Sequence, residues 1–138
     1  MAHHQTVFLE AAPFFLTDDV FATAEYYRDK LGFSFETFFG DPPSFVIVRR
    51  NSARILFRQV PASARPAPRP NHARFAPTID AYVWVSDVDA LAVELRERGA
   101  TILDQPFDSD GGSERREMIV ADNNGYRISF GRVIGWPN

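Results

Sequence analysis

The chain contains no cysteine, which excludes a disulfide framework, a thiolate nucleophile and every cysteine-based zinc site. The same absence is compatible with the cytoplasm, which is the expected location. No apolar run reaches the length that spans a bilayer, and the N-terminal residues lack the apolar segment of a signal peptide. Net charge is only −3, and Lys and Arg form no cluster long enough to act as a nucleic-acid-binding arm. Neither nucleic acid nor membrane is an expected partner. A Gly-rich phosphate loop and a G-x-S-x-G nucleophile elbow are also missing. His3 and His4 read as a polar tail, and His72 sits in a proline-rich segment, so no histidine constellation suggests a metal. Asp108 to Gly112 resembles a calcium loop in composition alone, without its spaced ligands or closing Glu, and is read as a flexible loop.

Against these absences stand 45% hydrophobic residues and 13 Phe in 138 positions. That is enough for one compact domain with a substantial core. The most informative stretch runs from Ile79 to Gly99. Ala81, Val83 and Val85 alternate with Asp80, Tyr82 and Trp84, the period of a strand with two different faces. Ser86, three residues before Asp89, fits a capping box. Val88, Leu91, Ala92 and Leu95 then recur at helical spacing until Gly99 stops the helix.

The same pattern occurs earlier. An apolar run from Ala12 to Leu16 leads through Thr17, Asp18 and Asp19 into a helix lined by Val20, Ala24, Tyr27 and Leu31, and Gly32 ends it. Asn51 to Phe57 matches Asn124 to Phe130. The offset grows from 67 at the glycines to 73 at these hairpins, which places a short insertion around Ser109 to Ser113. The chain therefore reads as an α+β fold of two copies of a strand-helix-strand-strand-strand unit. Val20 should superpose on Val88, Gly32 on Gly99 and Phe57 on Phe130.

Residues 1–138 are expected to form a single domain: module one about 6–60, a proline-rich linker at 61–77, and module two about 78–132. Thr6 to Leu9 is read as a short preliminary strand, Ala11 to Leu16 as the first module strand, and Phe33 to Phe39 as a strand. Phe45 to Arg49 with Arg54 to Val60 forms a hairpin. Pro61 to Pro77 can build neither helix nor central strand. Thr101 to Leu103 is the next strand. Glu117 to Ala121 and Arg127 to Gly131 form the last hairpin, turned by Asp122-Asn123-Asn124-Gly125.

The segments LTDDVFATAEYYRDKLGFSFE, VWVSDVDALAVELRERGATI and REMIVADNNGYRISFG resemble the glyoxalase/bleomycin-resistance/extradiol-dioxygenase superfamily, from about Ala11 to Arg132. Tyr82 to Val85 and Arg116-Glu117-Met118 are most similar to its bleomycin-resistance branch. The resemblance implies two βαβββ modules whose sheets each form half of a concave cup around a ligand. It also implies a homodimer in which the cup is shared or a strand is exchanged. Enzymes of the superfamily hold a divalent metal, and the corresponding places here fall at Ala11, Leu56, Asp80 and Ser129. Ala and Leu cannot coordinate and Ser is a poor ligand. No cofactor is therefore expected, and a metal-dependent glyoxalase or dioxygenase is disfavoured.

If those four places face the cup, strand parity assigns its lining. The expected ligand-binding residues are Phe45, Arg49, Arg54, Arg58, Tyr82, Trp84, Glu114, Arg116, Met118 and Arg127, with Ile47 and Val120 beside them. The opposite parity collects Phe14, Leu16, Ile55, Phe57, Val83, Val85, Ile128 and Phe130, the set expected under the helices. Three functions stay open at this point. One is a metal-free protein that sequesters a small molecule. Another is a metal-free enzyme with Asp80, Glu114 or Tyr82 carrying a proton. The third is a partner-binding module with a vestigial cup. Five arginines in the lining argue for an anionic or neutral ligand with an aromatic body, and for weak binding of cationic bleomycin.

Overall fold

The computed structural model describes residues 5–67, 70–109 and 115–134. Strand β1 (Phe14–Thr17) leads into helix α1 (Val20–Leu31), followed by β2 (Phe38–Phe39), β3 (Phe45–Arg50) and β4 (Ala53–Gln59). The order then repeats as β5 (Ala81–Trp84), α2 (Val88–Arg98), β6 (Thr101–Ser109), β7 (Arg115–Ala121) and β8 (Arg127–Val133). The strands form two four-stranded sheets of the same topology, β1-β4-β3-β2 and β5-β8-β7-β6. In each, the first pair is parallel and the rest antiparallel. This is an α+β fold of two βαβββ modules. Register carries the repeat to single residues: Phe15 pairs with Phe57 as Val83 pairs with Phe130.

Local chemistry sets both helices. Asp19 and Asp87 hold extended backbone at the N-caps, and their carboxylates accept from Phe21 and Ala22 in one case and from Ala90 in the other. The capping residue of α2 is thus Asp87, not Ser86. Gly32 and Gly99 end the helices at φ +75° and +80°, where a side chain would be strained.

One hydrophobic core joins both helices to one face of each sheet. Val20, Ala24, Tyr27 and Leu31 of α1 and Val88, Ala92 and Leu95 of α2 meet Val46, Val48, Ile55 and Phe57 from the first sheet. Met118, Val120, Ile128 and Phe130 enter the same cluster from the second. Each Val, Leu, Ile, Met or Phe side chain among them contributes about 1.5–3 kcal/mol on full burial. Polar contacts tie the modules along the same seam. The Tyr27 hydroxyl donates to Asp122 Oδ2 at 2.7 Å, and that of Tyr126 to the Leu16 carbonyl at 2.7 Å. The Tyr126 ring stacks on Phe15 at 4.2 Å. Arg50 grips Glu94 with two bonds of 2.7 and 2.8 Å and also reaches the Leu31 carbonyl.

Several expected boundaries move. Residues 6–9 form no strand, and β1 starts at Phe14 rather than Ala11. Only Phe38–Phe39 of the 33–39 stretch is a strand, because Phe33 dips into the core against Tyr27 (5.4 Å, edge-on) instead of following the sheet. β6 runs on to Ser109 with two register shifts against β7. Most of the expected loop, residues 110–113, lies outside the described residues. Short 3-10 turns at Ala62–Ala64 and Asn71–Ala73 punctuate the proline-rich connection. Among the described residues no helix is long and apolar enough to cross a membrane.

Candidate functional site

The helices leave one face of each sheet uncovered, and ladder register decides which residues stand there. On the first sheet Phe45 pairs with Arg58, Ile47 with Leu56 and Arg49 with Arg54, while Val46 and Val48 turn inward. Parallel pairing of Phe14 with Leu56 and Leu16 with Arg58 adds these two to the uncovered face. Phe39, paired with Phe45, joins them. The result is an aromatic row in which Phe14 and Phe39 lie 5.8 and 5.9 Å from Phe45. The Arg58 guanidinium sits over the Phe45 ring at 5.2 Å, a cation–π arrangement. Arg49 and Arg54 pair with Glu36 and Glu10 at 3.5 and 3.2 Å.

On the second sheet the uncovered face presents Tyr82 and Trp84 from β5, Ser129 and Gly131 from β8, and Arg115, Glu117 and Ile119 from β7. The Tyr82 and Trp84 rings lie 4.5 Å apart, and Arg115 covers Tyr82 at 5.6 Å. Trp84 is 53% exposed, an unusual amount for indole surface on a sheet. Glu117 is buried, with Ser129 donating to it at 3.4 Å and the Arg115 guanidinium forming an ion pair at 3.9 Å. The Tyr82 hydroxyl is buried in this cluster and makes no hydrogen bond of good geometry among the described residues. Burial first, and then the Glu117 carboxylate, push its pKa up to about 12. It stays a neutral donor at any physiological pH.

The structure brings Phe45, Arg49, Arg54, Arg58, Tyr82 and Trp84 onto the uncovered faces, and Arg127 joins them by its parity with Ser129. Two expected lining residues are on the other side. Met118 is fully buried in the core, and Arg116 reaches helix α2, with two 2.8 Å bonds to Asp89 and one of 2.9 Å to Asp108. Val120 is buried with Met118. The cause is turn length. The first hairpin turns through Asn51 and Ser52, whereas the second closes Asp122 on Tyr126 across Asn123, Asn124 and Gly125. One extra residue inverts the parity of the preceding strand, so Arg115, Glu117 and Ile119 replace Arg116, Met118 and Val120. Glu114 lies outside the described residues.

The first strand was inverted as well. Phe14 is 54% exposed rather than core, and Phe15 packs inward. The irregular backbone before Phe14 breaks any parity counted from Ala11. The consecutive Arg115-Arg116-Glu117 hid the β7 error, since charge on both faces gives no alternation to read. Met118 and Val120 flanking Ile119, set beside Val46 and Val48, were the available signal.

The metal places of the enzymes do not fit such a centre here. Leu56 has no donor atom, Ala11 is in the exposed N-terminal arm, and both Asp80 oxygens accept backbone N–H groups, from Asn71 and Arg127. Ser129 is buried beside Glu117. Among the described residues no group of three or more His, Cys, Asp or Glu side chains is placed to hold a metal ion.

Comparison with solved structures returns the same architecture. The bleomycin-binding protein from bleomycin-producing Streptomyces verticillus, solved with copper(II)-bleomycin, is 27% identical with a TM-score of 0.65, over 91% of this chain and 97% of that one. TnmS3, an antibiotic-binding protein from Streptomyces sp. CB03234, is 17% identical with a TM-score of 0.68, over 94% and 99%. A glyoxalase-related enzyme from Clostridium phytofermentans is 14% identical with a TM-score of 0.71, over 96% and 100%. No match to a curated protein was found by sequence. A family profile matches residues 8–130, nearly all of both modules. The paired βαβββ units and that match together assign the chain to the Glyoxalase/Bleomycin resistance protein/Dioxygenase superfamily.

Proposed function

We propose that the protein binds and sequesters a small molecule on the helix-free faces of its sheets, without a metal. The observation that carries this reading is the pair of half-sites just described. Each sheet turns aromatic rings outward and lays an arginine across one of them, Arg58 on Phe45 and Arg115 on Tyr82. A sheet face that only met water would gain nothing from Phe14, Phe39, Phe45 and Trp84. Flat apolar walls beside guanidinium groups suit a neutral or anionic ligand with an aromatic body. The 27% identical relative that was solved with bleomycin supports small-molecule capture as the general role. The arginine-rich faces argue that cationic bleomycin is a poor ligand here.

In the same reading the protein is a homodimer in the cytoplasm. Each half-site is open to solvent on its own, and Val7, Phe8 and Leu9 of the N-terminal arm are 73%, 95% and 90% exposed. A second chain would cover these residues and close the cup, with or without exchange of a strand. A sedimentation mass near 15.6 kDa at micromolar concentration would contradict the dimer.

Native mass spectrometry of freshly purified protein is the direct test of function. A bound small molecule that is lost with Tyr82→Ala or Phe45→Ala is expected. Tight, salt-sensitive binding of bleomycin in a calorimetric titration would overturn the charge argument. A second reading, a metal-free enzyme, has one observation in its favour: buried Glu117 accepts from Ser129, and its carboxylate adds to the burial that raises the Tyr82 pKa.

A further inference from the structure

The two modules are related by an approximate internal twofold, and the seam between them is filled on one side only. Residue equivalence follows from register. Phe15 pairs with Phe57 as Val83 pairs with Phe130, so Val83 is the mate of Phe15. Tyr126 precedes Arg127 of β8 in the position that Ala53 holds before Arg54, so Ala53 is the mate of Tyr126. On the first side of the seam the Phe15 and Tyr126 rings stack at 4.2 Å, and the Tyr126 hydroxyl reaches the Leu16 carbonyl. On the second side two rings are replaced by an isopropyl group and a methyl group. A cavity of about 540 Å³ lies there, with both Val83 and Ala53 in its wall.

This cavity borders helix α2, apart from the aromatic row of the first sheet and from Glu117 and Ser129. Phe33, Val85, Leu91 and Phe130 add to its apolar wall, and Trp84 of the second sheet's half-site stands at its edge. Its volume falls in the range of about 300–1,000 Å³ that small-molecule sites occupy. The charged groups at its edge are already engaged. Arg50 and Glu94 hold each other at 2.7 and 2.8 Å, and the Asp87 carboxylate caps the Ala90 N–H. Arg50 and Glu94 cancel each other, and the remaining negative charge of Asp87 would repel an incoming anion.

We propose that this seam is a second binding site, for a neutral, planar aromatic molecule that takes the space of the two rings stacked on the opposite side. The mate seam gives the shape of the occupant: flat, apolar on both faces and polar at one edge, where Ser86 and Asn51 line the opening. The site shares Trp84 with the half-site of the second sheet and is otherwise lined by different residues.

Methyl-resolved NMR titration of the full chain with indole tests it, with benzoate as the charged counterpart. Indole should give saturable shifts at Val83, Val85 and Leu91, and benzoate should bind at least tenfold more weakly. Ala53→Phe restores one missing ring and should weaken indole at least tenfold, and Val83→Phe serves as the second filling variant should the first fail to fold. The proposal is overturned if indole gives no saturable shift, or if its shifts are confined to Ile47, Leu56 and Ile119 on the uncovered faces. Equal affinity for benzoate, or unchanged indole affinity in a folded filling variant, overturns it as well.

Discussion

The hydroxyl of Tyr82 lies across Gly131, so close that a β-carbon at residue 131 would overlap it and would stand 2.8 Å from the ring carbon bearing that hydroxyl. The same β-carbon would meet the Glu117 side chain at 3.1 Å. Gly131 is therefore the floor on which Tyr82 rests. Gly131→Ala should force the ring off the sheet, at a cost of about 1–3 kcal/mol, the usual range for overpacking. Urea unfolding would measure the loss, and near-UV circular dichroism would report the displaced tyrosine. Unchanged stability together with an unchanged spectrum would contradict this packing.

Tyr82→Phe should behave differently. Its hydroxyl is buried without a hydrogen-bond partner among the described residues. Deleting it removes an unmet polar group and leaves the ring in place. Stability should hold or rise by up to about 1 kcal/mol. A co-purifying ligand that accepts a hydrogen bond from this hydroxyl would nonetheless bind more weakly. Opposite signs for stability and binding distinguish a recognition role from a packing role.

Asp122 predicts a pH dependence. Burial is the largest influence on its carboxyl and raises the pKa to about 6, against the bonds from Tyr27, Asn124 and Tyr126 that favour the charged form. The folded value lies above the unfolded one, so the group's contribution to stability is complete below about pH 4 and is lost as pH rises through about 6. Relative to Asp122→Asn, which does not titrate, the wild-type protein should therefore lose on the order of 2–3 kcal/mol between pH 4 and pH 7. Parallel denaturant titrations of the two proteins across that window provide the check, and a pH-independent difference would exclude the raised pKa.

Strand parity can be tested by truncation. Phe57 is fully buried and Phe14 is 54% exposed, although both are phenylalanines at paired strands. Phe57→Ala should cost about 3–5 kcal/mol and Met118→Ala about 2–5 kcal/mol. Phe14→Ala should cost about 1 kcal/mol, since only about half of its surface leaves water on folding. A large loss at Phe14 that depended on protein concentration would place it at a contact between chains.

The two modules, both helices and the core positions of β4 and β8 were legible because each rests on a local signal. Asp19 and Asp87 mark helix starts, Gly32 and Gly99 mark their ends, and Ile55, Phe57, Ile128 and Phe130 alternate cleanly. The uncovered faces were legible only where a strand's parity could be counted without crossing a turn. Tyr82, Trp84 and Arg58 were found that way, and Phe45 came from the repeat and the family resemblance across a two-residue turn. Arg115 and Glu117 were missed because the second hairpin has a turn one residue longer, and nothing local to RREMIVA reveals that. Phe39 was missed because it stands next to Phe38 in a two-residue strand, where period two cannot be read.

The register shifts in β6 bear on how this chain meets others. β6 is the outermost strand of its sheet, and its ladder with β7 slips between Ile102 and Asp104 and again before Phe107. Pro106 and the acidic side chains of Asp104 and Asp108 occupy the same strand. Kinks, a missing N–H donor and like charges along one border make a poor template for another backbone. That border is guarded against fibril-like stacking. The opposite border of the same sheet is the four-residue β5, whose Tyr82 and Trp84 belong to the half-site. Strand-to-strand association is thus steered away from the guarded border and toward the one that carries Tyr82 and Trp84.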